Sequence, residues 1–233
     1  QVIDGPDSPL VASRKALLRD GTGDIWVATT SGLIGRYDGT GWHVYSQADG
    51  LPFGQIGYHG LYEAADGTIW AGFKQFLENR RMSELEGGLR RFDGNAWLPV
   101  SPPTDTLDVL SITETKDGAL WLGTPKGSWR HKDGSWSSQP LPAGPVRRLR
   151  DMLADSDGGM WGAGDDGIWR LVGDSWMQVI RDQLIKNLWQ TKDGTLWAST
   201  STGEMCRREQ GKPWDCVNTT QLHTPSVGAP VAD

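Results

Sequence analysis

Cysteine and histidine are scarce in this chain, with two Cys and four His in 233 residues. His43, His59, His131 and His223 never reach His-x-x-x-His spacing, and there is no Cys-x-x-Cys, so the usual zinc sets are missing and no metal site is expected. A Gly-x-Ser-x-Gly elbow and a phosphate-cradling glycine loop are also absent, which removes motif support for nucleophilic and nucleotide chemistry. The longest basic cluster is Arg147-Arg148 with Arg150, and the net charge is −6, so the electrostatic footprint of a nucleic-acid partner is lacking. Hydrophobic residues make up 37% of the chain, mean hydropathy is −0.47, and no run approaches the roughly 20 apolar residues of a membrane-spanning helix. The opening Gln1-Val2-Ile3-Asp4 does not read as a signal peptide or a start, so a longer or processed parent is expected.

What the chain has instead is 13 Trp and 31 Gly, spread from one end to the other. Large indoles at regular spacing need regular places to be buried, which argues for order and for a repeat. The segments Thr22-Gly23-Asp24-Ile25-Trp26, Asp66-Gly67-Thr68-Ile69-Trp70, Asp117-Gly118-Ala119-Leu120-Trp121, Asp157-Gly158-Gly159-Met160-Trp161 and Asp193-Gly194-Thr195-Leu196-Trp197 are one motif five times over. Six positions after the Trp stands a Gly in four copies: Gly32, Gly127, Gly167 and Gly203. In the second copy the matching residue is Gly88, which implies an insertion of about 12 residues. A second Trp closes each unit at Trp42, Trp97, Trp136, Trp176 and Trp214.

The first Trp residues recur 44, 51, 40 and 36 residues apart, the period of a four-stranded propeller blade once the insertion is set aside. Short β-rich units joined by Asp-Gly turns exclude a helical repeat of that length. The fold class expected is therefore all-β: a β-propeller of four-stranded antiparallel blades, with five repeats visible and part of a larger ring. Repeats fall at approximately 11–46, 56–101, 107–139, 145–180 and 184–218, with 219–233 starting a further blade. A complete five-bladed ring is the competing arrangement. First strands are expected at Arg14 to Arg19, Gly60 to Glu63, Val109 to Glu114, Leu149 to Ala154 and Lys186 to Gln190. A small residue two places after each first Trp (Ala28, Gly72, Gly123, Ala163, Ser199) predicts close approach of a neighbouring backbone or blade.

The pattern Asp-Gly-x-x-Trp-x-Gly-Thr, best seen from Asp117 to Thr124, followed by Gly-Leu, Arg, an aromatic and Asp-Gly, best seen from Gly88 to Gly94, resembles the two-component regulator propeller repeat. The resemblance covers nearly the whole chain. It departs at Thr22, at Gly164 after Ala163 and at Gly203-Glu204, which blurs the blade edges. It implies the periplasmic or extracellular ligand-sensing region of a bacterial signalling receptor, non-catalytic and without cofactor, joined to further blades or signalling domains. The implied ligand is an oligosaccharide or another small polar molecule. Gly-Leu-Ile-Gly-Arg at Gly32 to Arg36 is more distantly similar to streptogramin-lyase-like propellers, so a scaffold or lectin-like role and a lyase-like enzyme are the alternatives.

Asp-Gly turns are short and alike, so variation concentrates on the opposite loops: Lys74 to Glu86, Gln47 to Gln55, Ser101 to Asp108 and Thr219 to Ser226. Within the insertion, Lys74, Gln75, Phe76, Asn79, Arg80 and Arg81 carry groups able to bond or stack on a polar ligand. Lys126, Asp165 and Asp166 occupy equivalent places in later blades. A solvated loop of mixed charge is the plainer reading of the same residues. Asp155-Ser156-Asp157-Gly158 faintly resembles a calcium loop but lacks its later ligands, so an Asp bonding its own turn is expected. His43 and His131 are expected as solvated or packed imidazoles.

Two buried thiols would be the ordinary reading of Cys206 and Cys216 in a cytosolic chain. Register argues for a bridge. In the first unit, stepping two residues outward from Tyr37 and Trp42 places Gly35 opposite Val44. The same step from Arg208 and Trp214 places Cys206 opposite Cys216, across a hairpin.

Overall fold

A computed structural model describes residues 14–75, 87–100, 108–142 and 148–218. The chain divides into two compact units, residues 1–112 and 113–233. The first contains two antiparallel quartets: β1 (Arg14–Arg19), β2 (Ile25–Thr29), β3 (Ile34–Tyr37) and β4 (Trp42–Tyr45), then β5 (Gln55–Glu63), β6 (Ile69–Lys74), β7 (Gly88–Phe92) and β8 (Trp97–Val100). β9 (Ser111–Glu114) crosses the boundary and leads β10 (Leu120–Thr124), β11 (Gly127–Lys132) and β12 (Ser135–Pro140). The second unit continues with β13 (Leu149–Ala154), β14 (Met160–Gly164), β15 (Gly167–Val172) and β16 (Ser175–Arg181), and ends with β17 (Ile185–Gln190), β18 (Leu196–Thr200), β19 (Glu204–Arg208) and β20 (Asp215–Asn218). Each quartet is a meander, with every strand paired to the next in sequence. The all-β, four-stranded organisation is thus as expected. Residues 1–13, and 219–233 where a further blade is expected to start, lie outside the described residues.

Two glycines per repeat carry the turns. The Asp-Gly glycine, such as Gly118 at φ 75°, and the glycine after the Trp, such as Gly32 at φ 84°, are both in the left-handed region that a side chain disfavours. Gly88 belongs to the second class at φ 89° and pairs with Phe73, three residues after Trp70. Gly127 and Gly167 pair with Thr124 and Gly164, three residues after their own Trp. The insertion therefore enters between β6 and β7 without shifting the repeat register.

The Asp-rich turns are self-satisfied, as expected. Asp155 Oδ1 accepts the amides of Asp157 at 2.9 Å and Gly159 at 2.6 Å, and its Oδ2 accepts the Trp161 indole N–H at 2.7 Å. Asp20 repeats the arrangement on Thr22, Asp24 and Trp26, the indole again at 2.7 Å. At Trp121 the acceptor is Thr115, at 3.2 Å. The residue six places before the Trp is thus part of the repeat, a position that the Asp-Gly pattern alone does not reveal.

Indole packing follows a rule across successive blades. Trp26, the first Trp of one quartet, meets Trp97, the second Trp of the next, with ring centres 5.9 Å apart and nearly perpendicular planes. Trp161 meets Trp214 in the same way at 5.8 Å. Trp121 and Trp176 share one core cluster. Trp26, Trp97 and Trp161 are each 1% exposed, so these contacts are the core of the blade interfaces. The small residue after the Trp serves the same packing: a Cβ on Gly72 would lie 2.5 Å from Val109 Cγ1.

The first strands differ from expectation in two quartets: β9 starts at Ser111 instead of Val109, and β5 departs further. β1, β13 and β17 match or nearly match the expected limits, each with a one-residue bulge at Lys15, Arg150 and Lys186 respectively. β5 starts at Gln55 instead of Gly60, because four residues, Gly57 to Gly60, stand opposite Gly72 alone. The extra residues find partners elsewhere: the His59 amide donates to the Leu110 carbonyl at 3.1 Å, and His59 bridges Ser111. Glycine is required at the fold of this bulge, since a Cβ on Gly57 would approach the Leu110 carbonyl oxygen to 2.5 Å.

Candidate functional site

Among the described residues, the first unit has a concavity at each end of its blades. The larger, about 500 Å³, opens at the Asp-Gly turns and is lined by Asp20, Arg36, Asp66, Arg91, Phe92 and Asp93 among others. Its charged groups are largely committed. Arg36 is held by Asp24 at 2.6 Å and lies over the Trp26 ring at 5.3 Å. Asp66 is held below the usual carboxylate range by the Thr68 amide and hydroxyl, and Asp93 by the amides of Ala96 and Asn95. For Asp20, burial alone would raise the carboxyl, but bonds from Thr22, Trp26 and Asp24 outweigh it and hold it low. These carboxylates stabilise their turns.

The smaller, about 380 Å³, lies at the loop end and is lined by Ser31 to Leu33, Ser46 to Ala48 and Pro52 to Gly54. A 3-10 turn, Gln47–Asp49, shapes it; Ser46 and Asp49 form a reciprocal cap, with the Ser46 amide donating to Asp49 Oδ2 at 2.8 Å.

Of the residues singled out in the insertion, Lys74 ends β6 and Gln75 follows it, its amide donating to Asp108 Oδ1 at 2.6 Å. Phe76, Asn79, Arg80 and Arg81 lie outside the described residues. In the second unit, Lys126 sits in the β10–β11 turn, where its carbonyl accepts the Leu141 amide at 3.2 Å. Asp165 receives the Arg150 guanidinium directly and Arg148 at 3.8 Å. The Asp166 carboxylate accepts the Trp169 indole at 3.3 Å, and its carbonyl accepts the Gln178 side chain at 2.8 Å. Asp165 and Asp166 are therefore tied into their own blade.

Lys74 does have company that the sequence does not announce. Its ammonium lies 5.3 Å from the centre of the Tyr58 ring, and that of Lys15 lies 5.0 Å from the same ring. Burial, then the charge of Lys74 and a direct side-chain contact with it, bring Lys15 down to about 8. The other sequence expectations concern structure. His43 faces Asp38 at 3.2 Å and is well exposed, while His131 packs on Trp136 with ring centres 4.6 Å apart. Cys206 pairs with Cys216 in the β19–β20 register, with Gly35 opposite Val44 in the first quartet, and the two sulfurs are bonded at 2.05 Å. Among the described residues, no three His, Cys, Asp or Glu side chains gather as a metal set, and no helix is long and apolar enough to cross a membrane.

Comparison with solved structures places this architecture. A streptogramin B lyase superimposes with a TM-score of 0.70 at 18% identity, over 91% of this chain and 70% of that one. The fold is that of a β-propeller. The extracellular domain of BT3049 of B. thetaiotaomicron, described as a hybrid two-component system, matches with a TM-score of 0.67 at 18% identity, over 85% of this chain and 29% of its own. That of BT4673 from the same organism matches at 0.59 and 16%, over 96% of this chain and 35% of its own. The chain thus spans about a third of those two domains. No protein-family model and no curated protein matches the chain.

Proposed function

We propose that this chain is an extracytoplasmic ligand-binding propeller of a bacterial signal-transduction receptor, binding a small polar solute or oligosaccharide without transforming it. The observation that carries this reading is the match to two separate extracellular domains of two-component systems over 85% and 96% of the chain. The Cys206–Cys216 bridge supports an oxidising compartment. The lowered carboxyl groups of Asp20, Asp66 and Asp93 at the larger concavity support a structural role for them, since each is held by bonds within its own turn. Further blades and signalling domains of a parent protein are its expected partners.

A lyase-like activity is the second reading, favoured by the TM-scores of 0.70 to a virginiamycin B lyase and a streptogramin B lyase. One experiment separates the two. Purified chain is incubated with quinupristin and, separately, screened by calorimetry against small sugars and oligosaccharides. Saturable binding of a sugar with quinupristin unchanged by chromatography and NMR supports the binding module, whereas conversion of quinupristin to a new species, even one of the same mass, overturns it.

A further inference from the structure

We propose that Lys15 and Lys74, both set against the Tyr58 ring in the first unit, form a binding site for a doubly charged oxyanion, phosphate or sulfate, free or carried on a sugar. The first support is the chain's own repeat. Lys74 stands four residues after the first Trp of its blade, and Asp165 holds that place in the blade of Trp161. Lys15 is the bulge residue of β1, as Arg150 is of β13. In the blade of Trp161 the acid cancels that blade's own bulge cation, Asp165 against Arg150. After Trp70 a cation, Lys74, replaces that acid, and the charge it meets at the Tyr58 ring is Lys15, the bulge cation of the preceding blade, so two positive charges stand together there.

That replacement is costly unless something compensates it. Two half-buried ammonium groups repel, and among the described residues neither has a carboxylate partner. Asp108 accepts the Gln75 amide instead. The lowered Lys15 records the same strain: its charged form is disfavoured by burial and by Lys74. A Tyr face offsets part of this through cation–π attraction, on the order of 0.5–2 kcal/mol each, but it carries no charge.

The second support is the backbone that aims Tyr58. It lies within the four-residue bulge of β5, between Gly57 and Gly60, where β1, β13 and β17 each carry a bulge of one residue. Bulges re-aim side chains and gather at functional sites. An oxyanion between the ammonium groups would take charge-assisted hydrogen bonds from both, each roughly twice as strong as a neutral one.

The inference deepens the ligand-binding reading at Lys74, and it rests on that reading only for the small size of the ligand. Purified chain is titrated with inorganic phosphate, inorganic sulfate and glucose 6-phosphate, by calorimetry and by the NMR resonances of the Tyr58 ring. Saturable binding is expected, with Lys15→Gln and Lys74→Gln each weakening it about tenfold or more. Lys186→Gln, at the exposed bulge lysine of β17, leaves it unchanged. Tighter binding of glucose 6-phosphate than of phosphate assigns the anion to a sugar ester, and the reverse assigns it to the free ion; both support the site. Absence of saturable binding by all three probes, or binding that survives both substitutions, overturns it. Should Lys15→Gln fail to fold, Lys74→Gln with the Tyr58 shifts decides alone. Because no signalling output is read, the sensor reading can fail while this site stands.

Discussion

Asp155 accepts the indole N–H of Trp161 at 2.7 Å while its other oxygen closes the turn on Asp157 and Gly159. One carboxylate thus anchors a turn and a blade-interface Trp that is 1% exposed. Asp155→Ala would leave a buried indole donor unpaired and is expected to cost about 1–3 kcal/mol. Asp155→Asn, which keeps acceptor oxygen, should cost less. Urea unfolding of both variants is the check, and equal loss in the two would contradict this role for the acceptor.

Gly164 shows how tightly the same blade is closed. Its φ is unremarkable, yet a Cβ would stand 1.7 Å from the Arg148 carbonyl oxygen, which explains the departure from the Gly-Thr pattern at this point. Gly164→Ala is expected to destabilise by about 1–3 kcal/mol through backbone displacement. Gly41→Ala, where a Cβ meets nothing within 4 Å, should be nearly neutral. Thermal melts of the pair give the comparison directly.

The bridge between Cys206 and Cys216 spans a sequence separation of 10. Loop-closure entropy for so short a loop gives about 2–3 kcal/mol at most. Reduction should therefore lower the melting temperature without unfolding the chain at room temperature. Intact mass with alkylation before and after reduction reads the bridge, and two alkylated thiols without reductant would refute it.

Acid stability follows from the turn carboxylates. Asp117 is brought down from 3.8 to about 2, mainly by the Thr115 hydroxyl, with the Ala119 amide and Lys132 adding to it against the effect of burial. Asp38 is lower still, through the Thr40 hydroxyl and the amides of Thr40 and Gly41. A depressed folded pKa contributes stability above the unfolded value, and that stability is lost as pH falls through the folded one. Resistance to urea should accordingly decline between about pH 4 and pH 2. Asp117→Asn should flatten that decline, and an unaltered profile would count against it.

Much of this fold was legible in the chain because its determinants are local. A left-handed glycine, an Asp that can bond its own turn and a Trp at fixed offset act within a few residues, so the strands, the hairpin register and the opposition of Cys206 to Cys216 follow from counting along the sequence. The tertiary structure decided what depends on distant segments. Which indole meets which, Trp26 with Trp97 and Trp161 with Trp214, is set by the packing of successive blades. The four-residue bulge of β5 is stabilised by Leu110, about fifty residues away, and so no local pattern marks it. Lys15, Tyr58 and Lys74 illustrate the limit most directly: each is an ordinary residue in its own strand, and only the approach of β1, β5 and β6 brings two cations to one aromatic ring.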